Sequence, residues 1–557
     1  MRLAPSSLVL IAALGAASAA APTPALAGDN VPGKWHEDKL VGFRFRPLNE
    51  WSPVPGGTDP EDPKLCGFYS DKAKFDNTAA KPECGVYAFK AHREGTATPS
   101  DGGAPGAAPT TPEEAREAMM AAMRFKSTRE VFDLLRNRRT EISQQVMDRM
   151  EEKKRKKVIK ELDIKEPVEK EMKQGDLVIT VAEVTVPLAM VRGPEEFILG
   201  WKIVAGWVAN EEFEVGVVYQ VPLDEWKKYG RGIYSSLSSI QFLDSAEVAA
   251  ARTDLADALA GKTGDERWLE EIKRKVTPGW DHLQTKNYLI VYDKSVKKDR
   301  VQLIAVQIEA IRKDIYEVLF PSDRPITAIS VVRVCKDQGQ YTQYGGPGGS
   351  AGYWNWMEQE LVFYEDTSAK KDTLRVLNHE AFHQYIFYSV GSISPHDWFN
   401  EGHGDYFSGH DFNRSGRFVP KPFQWRTGII KSAVGSKSHV PLKQFMRYSH
   451  RDYYGPQIGQ NYAQGWSIIW FLRQTKDPEW KGILETYFNT LKGEVTKWVK
   501  DQEDAAKKDG SWKEGWKPGK TPDDVEEAAR NKALDAAFGS WDDKKWEKFE
   551  KEWKDFL

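Results

Sequence analysis

The chain runs to 557 residues, 40 % of them hydrophobic, so it exceeds what one core normally holds and predicts two or three domains rather than a disordered polymer. Its 79 basic and 82 acidic side chains leave a formal charge of -3. That near balance excludes a global electrostatic attraction for nucleic acid or an anionic membrane, so any partner has to be argued locally.

Residues 1–27 carry one early Arg2, an apolar run from Leu8 to Ala17, and two small-residue exits at Ala17-Ser18-Ala19 and Ala25-Leu26-Ala27. This pattern predicts a cleaved signal peptide and a secreted or periplasmic protein. The apolar run is about half the roughly 20 residues that a membrane anchor needs, and no later stretch predicts a transmembrane segment. Cys66 and Cys84 flank a Gly/Pro/Asp-rich loop and could close a disulfide in that compartment, leaving Cys335 as a buried thiol.

Residues 30–244 read as a first α+β domain. Alternation over GFRFRPLNEW, and again at Cys84 to Lys90, Leu177 to Val186, Glu196 to Val208 and Glu212 to Val221, predicts an antiparallel sheet, with a closing helix after Leu223 and a last strand. The outline resembles the secreted β-sheet modules related to the PsbP and LpqN proteins. A Gly/Pro/Ala/Thr-rich insertion at 96–112 and a charged helical segment at 113–175, with EEKKRKK from Glu151, interrupt it. Neighbouring acids cancel that basic run, which reads as a solvated helix face rather than a nucleic-acid patch.

A helical connector at 245–282 leads to the second domain, 283–557. There NYLIVYD predicts a strand, and Val301, Ile304, Ala305, Ile308, Ile311, Ile315 and Val318 recur as one face of a helix. A strand at Ile326 to Val334, the run GGPGGSAG and a strand at Glu360 to Tyr364 follow.

Next comes HEAFHQ. On a helix His379 and His383 lie one turn apart and can reach one ion, while Glu380 lies beside them, close enough to take a proton from a water. A catalytic Zn2+ needs a third protein ligand. The extended motif with a third histidine is absent, because Ile386 and Ser389 stand where Gly and His would be required. Eighteen residues after His383 comes Glu401, with Asp405 one turn further, so that one carboxylate can meet the metal and the other can accept a ligand histidine's free N–H. His403 is the alternative ligand but points to another face; His396 and His410 read as loop and surface residues.

HEAFHQ followed by NEGHGDYF resembles the gluzincin zinc peptidases. Within them the chain is most similar to the peptidase-MA-like domain of unknown function found in secreted bacterial proteins, over about Asn287 to Leu557 and including VRVCKDQGQY and NYAQGWSIIWFL. The resemblance implies a zincin-like catalytic domain: a mixed sheet with an edge strand, an HExxH helix and a helical C-terminal part, behind the smaller β-rich α+β domain. It implies His379, His383 and Glu401 as zinc ligands, Glu380 as general base, and Asp405 as the acid behind a ligand. Tyr462, in a Tyr-x-x-Gly segment 61 residues after Glu401, matches the oxyanion-stabilising tyrosine of family-one aminopeptidases, and a core tyrosine is its alternative reading. The strand at Glu360 to Tyr364 would be the sheet edge that pairs with an extended peptide or protein substrate. YWNWMEQE departs from the aminopeptidase GxMEN motif at Trp356 and Gln359, which leaves exopeptidase mode open. From a different class, the first domain and 20 Trp residues are compatible with a secreted binding protein for envelope polymer or glycan that keeps zinc without turnover.

Overall fold

Valine is the commonest residue in the long strands of the first half, where β-branched side chains pack against a pleated surface. The computed structural model describes residues 28–557 except 58–61, 71–80, 91–124, 149, 163–165, 193–194, 263, 277, 324, 348, 356–357, 366–372, 392, 410, 413–417 and 513–520. The expected signal peptide, the 96–112 insertion, part of the 113–175 segment, His410, Trp356 and Met357 therefore lie outside the described residues. The described chain is α+β throughout.

Strands β1 (His36–Asp38) and β2 (Phe43–Phe45) open the chain, followed by β3 (Ser52–Pro55), β4 (Lys64–Tyr69) and β5 (Glu83–Lys90). Helices α1 (Thr128–Asp148) and α2 (Glu152–Leu162) precede β6 (Val168–Gln174), β7 (Leu177–Arg192), β8 (Glu195–Ala209), β9 (Phe213–Pro222), α3 (Trp226–Leu237) and β10 (Gln241–Phe242). Seven strands form one antiparallel sheet in the order β3-β4-β5-β9-β8-β7-β6. Its two faces are both covered. Tyr229, Ile233 and Leu237 of α3 pack on one side, and Val131 and Phe132 of α1 on the other. The GFRFRPLNEW strand does not join this sheet; it forms β2, which pairs with β1 and β10 in a separate three-stranded sheet.

Cys66 and Cys84 are free, buried thiols, not a disulfide. Cys66 stands opposite Val86 and Cys84 opposite Phe68, so the two are diagonal rather than facing, and the Cys66 sulfur instead lies 3.4 Å from His36 Nε2.

The stretch expected as a helical connector forms α4 (Ser245–Leu259) and α5 (Gly264–Arg274), then enters β11 (Trp280–Gln284). With β12 (Tyr288–Asp293), β13 (Ser330–Cys335), β14 (Gly352–Asn355) and β15 (Glu360–Tyr364) it makes a mixed sheet, order β11-β12-β13-β15-β14. The three central strands are parallel and both outer strands antiparallel. The Glu360 to Tyr364 strand is therefore internal, and the edge is β14. Four residues immediately after a glycine-rich run left no alternation from which to read it.

Helix α6 (Lys298–Ile311) crosses from β12 to β13 and continues through a π-helical turn, Arg312–Tyr316, to Leu319. That turn moves the helical phase, so Val318, expected on the buried face, is 69 % exposed while Tyr316 is fully buried. One face of the sheet packs on α6 and α8 (Thr373–Val390); the other packs on α5 and on Tyr341 of α7 (Gln338–Tyr344). Beyond α8 the described chain is mainly helical: α9 (Asp397–Ser408), a short hairpin, α10 (Gln424–Gly435), the single turns α11 (Leu442–Phe445) and α12 (His450–Tyr453), then α13 (Ile458–Gln474), α14 (Ile483–Asp509), α15 (Asp523–Phe538) and α16 (Asp543–Phe556).

Candidate metal centre

Helix α8 ends where Gly391 adopts φ 109°, a left-handed turn that a side chain would resist, and its N–H bonds to the Phe387 carbonyl at 3.0 Å. The chain reverses through Pro395, and α9 returns across α8. Contact is close because residue 404 is glycine: a Cβ there would lie 2.6 Å from His379 Cε1. The two helices thereby bring His379 and His383 against Glu401.

His379 Nε2 is 3.0 Å from Glu401 Oε2, and His383 Nε2 is 3.6 Å from Glu401 Oε1. One ligand atom from each of the three residues lies within 4.8 Å of the others. Two zinc bonds of about 2.05 Å at a tetrahedral angle separate their donor atoms by about 3.3 Å. The two measured separations bracket that figure. The outer ring atoms are also engaged: His379 Nδ1 lies 3.3 Å from Asp405 Oδ1, and His383 Nδ1 donates to Asn400 Oδ1 at 3.0 Å. With their protons on Nδ1, both rings turn Nε2 lone pairs toward a carboxylate, an all-acceptor pocket that calls for a cation or for added protons. The residues fit a divalent metal with nitrogen and oxygen preference, such as zinc.

The electrostatics agree. Burial pulls both imidazoles down, but Asp405 and Glu401 hold His379 well above its ordinary pKa, and the Glu401 charge holds His383 above its own. Burial raises Glu401, yet the two histidines outweigh it and hold the carboxyl well below its usual range. The three groups together favour positive charge between them, and a metal ion taking that place would release protons.

Glu380, on the same helix, is raised by burial and lowered in part by His379 and His383; the Trp354 backbone N–H of β14 donates to its carboxylate. Tyr462 enters from α13 with its ring 6.4 Å from that of His379, the planes 28° apart, and burial pushes its hydroxyl well up. His403 faces the other way. It is fully buried among Phe320, Phe382 and Phe399, with Nδ1 donating to the Phe399 carbonyl at 2.8 Å and Nε2 accepting from Arg473 at 3.1 Å. His396 lies in the loop, as expected, as the N-cap residue of α9 with its ring on Tyr487, whose hydroxyl lies 2.8 Å from Nδ1.

Three further contributors carry no signal in the HExxH pattern. Tyr454 donates its hydroxyl to Glu401 Oε1 at 2.7 Å. Asn400 fixes the outer side of His383. Arg426, from α10, donates through Nε to Asp405 Oδ2 at 2.5 Å. Only Asn400, next to Glu401 in sequence, could have been suspected from its position.

No family model and no curated protein matches the chain. Among solved structures it is similar to the solution structure of cyanobacterial PsbP (CyanoP) from Synechocystis sp. PCC 6803, at 10 % identity, over 40 % of this chain and 98 % of that one, with a TM-score of 0.21. A likeness this slight carries no argument about fold or function.

Proposed function

We propose that the chain is an exported zinc-dependent peptidase with a gluzincin-like catalytic half. The observation that carries the reading is the donor set: two imidazole nitrogens and a carboxylate converge at separations suited to one metal ion, their outer atoms braced by Asp405, Asn400 and Tyr454, with Glu380 on the same helix. A purely structural metal has no use for a base beside it.

Zinc bound to such a set supplies Lewis acidity and brings the pKa of water down to about 7. Glu380 takes the proton from the attacking water and hands it to the departing amine; its burial moves the carboxyl toward the pKa such a shuttle needs. Tyr462 donates a hydrogen bond to the oxyanion that forms on the former carbonyl. The terminal strand β14, whose Trp354 N–H already holds Glu380, aligns an extended peptide by backbone pairing.

The test is zinc content together with degradation of an unstructured protein, with and without a chelator. About one zinc per chain and chelator-sensitive cleavage are expected. Zinc without cleavage would transfer the chain to the class of secreted binding proteins, and absence of metal would defeat both readings. Export is checked by sequencing the mature amino terminus, expected near Ala20 or Gly28; an intact Met1 on cytoplasmic protein would refute it.

A further inference from the structure

We propose that Arg426 is a positioning residue that sets the tautomer of His379 by dictating which way Asp405 faces, and that it braces Tyr462 at the same time. The inference rests on the metal-centre reading above. Asp405 is 3 % exposed and Arg426 7 %, so both are largely shielded from water and each is the other's main charged partner. Arg426 Nε–H meets Asp405 Oδ2 at 2.5 Å, and the other oxygen, Oδ1, faces His379 Nδ1 at 3.3 Å. The arginine cannot be a hydrogen-bond acceptor, so whatever stands at position 405 must offer it an oxygen. A carboxylate has a second oxygen to offer His379; that oxygen accepts the Nδ1 proton and leaves the Nε2 lone pair toward Glu401.

The guanidinium also packs against two rings. Its carbon lies 4.2 Å from the ring centre of Trp425 and 4.8 Å from that of Tyr462. One planar cation thus connects α10, α9 and α13, holding a ligand histidine through Asp405 and the candidate oxyanion donor through its ring.

The decisive experiment is a pair of substitutions in the full chain, read by zinc affinity in chelator competition and by the visible spectrum of the cobalt-loaded protein. In Asp405→Asn, Arg426 still demands an oxygen, so the amide turns its NH2 toward His379 Nδ1. The ring proton then moves to Nε2 and the donor is lost; zinc affinity should fall about 100-fold, the upper end for such outer contacts. Adding Arg426→Met removes the demand and lets the amide rotate its oxygen to Nδ1–H. Affinity should recover about tenfold, and the cobalt spectrum should return toward that of the parent. A double variant that binds zinc no better than Asp405→Asn would overturn the proposal, since a merely structural arginine predicts additive loss. Arg426→Lys keeps the charge but not the planar stack. It should stay within a few-fold of parental zinc affinity while turnover falls about 10²-fold through a displaced Tyr462. Unchanged turnover would refute the brace on Tyr462. If the parent binds no metal, the reading under Proposed function fails first and takes this inference with it; if the parent binds and the variants behave additively, this inference alone fails.

Discussion

Replacing Glu380 by glutamine keeps the size of the side chain and an oxygen for the Trp354 N–H, but removes the group that takes the water's proton. General-base catalysis contributes about 10²- to 10⁴-fold, and the position in that range depends on whether a neighbour can substitute. Here the neighbouring carboxylates are occupied: Glu401 meets His379 through one oxygen and Tyr454 through the other, and Asp405 meets His379 and Arg426. The loss should therefore lie near 10⁴-fold, about 5.4 kcal/mol of barrier. Zinc should remain at parental stoichiometry, because Glu380 is not among the converging donors. The assay is single-turnover cleavage of an unstructured protein beside metal analysis of the same sample. If Glu380→Gln cleaves within tenfold of the parent, Glu380 is not the base. If it loses zinc altogether, the ligand set is misassigned.

Glu401→Ala should bring zinc below detection by metal analysis, since one of three donors disappears and two imidazoles remain without a counter-charge. Tyr462→Phe should reduce turnover about 10²- to 10³-fold with zinc retained, whereas Tyr454→Phe should act on metal affinity by about tenfold through Glu401; kinetics and chelator competition separate the two. His396 is held neutral, its pKa pushed down to about 3 by burial and by Arg530 and Arg447. Because its folded pKa lies below the unfolded value of about 6.5, stability is full above that value and falls as pH drops toward 3, by about 2 kcal/mol at pH 5. His396→Gln should flatten the difference between urea midpoints at pH 7.5 and pH 5; an unchanged difference would show that another group carries the acid response.

The centre was legible where local geometry alone determines which residues meet. One turn of helix separates His379 from His383, and another separates Glu401 from Asp405, so each pair could be assigned to one face before any tertiary contact was known. Arg426 and Tyr454 were not legible because they arrive on α10 and beside α12, whose approach to α9 depends on how several helices pack. The short edge strand β14 was hidden for a related reason: its four residues are held by pairing with β15 rather than by a pattern of their own. Strand content in the first half could be read from alternation, but β2 looked no different from a strand of the large sheet, and only the long-range pairing with β10 assigns it elsewhere.

The π turn in α6 has a consequence for how much length variation the region tolerates. Its extra residue turns Tyr316 inward, where the hydroxyl donates to the carbonyl of Asn378, the residue immediately before His379, at 2.6 Å. Each residue of a helix advances the phase by about 100°. Straightening the turn into regular helix at unchanged length would carry Tyr316, five 100° steps after Ile311, off that carbonyl and rotate Val318 inward in its place; deleting one residue between 312 and 315 would instead remove the bulge with Tyr316 still facing inward, four steps after Ile311. The crossover thus holds one residue more than regular helix needs to reach the turn of α8 from which the first histidine projects: losing that residue keeps the phase, whereas a further insertion needs a second bulge to keep Tyr316 on that carbonyl.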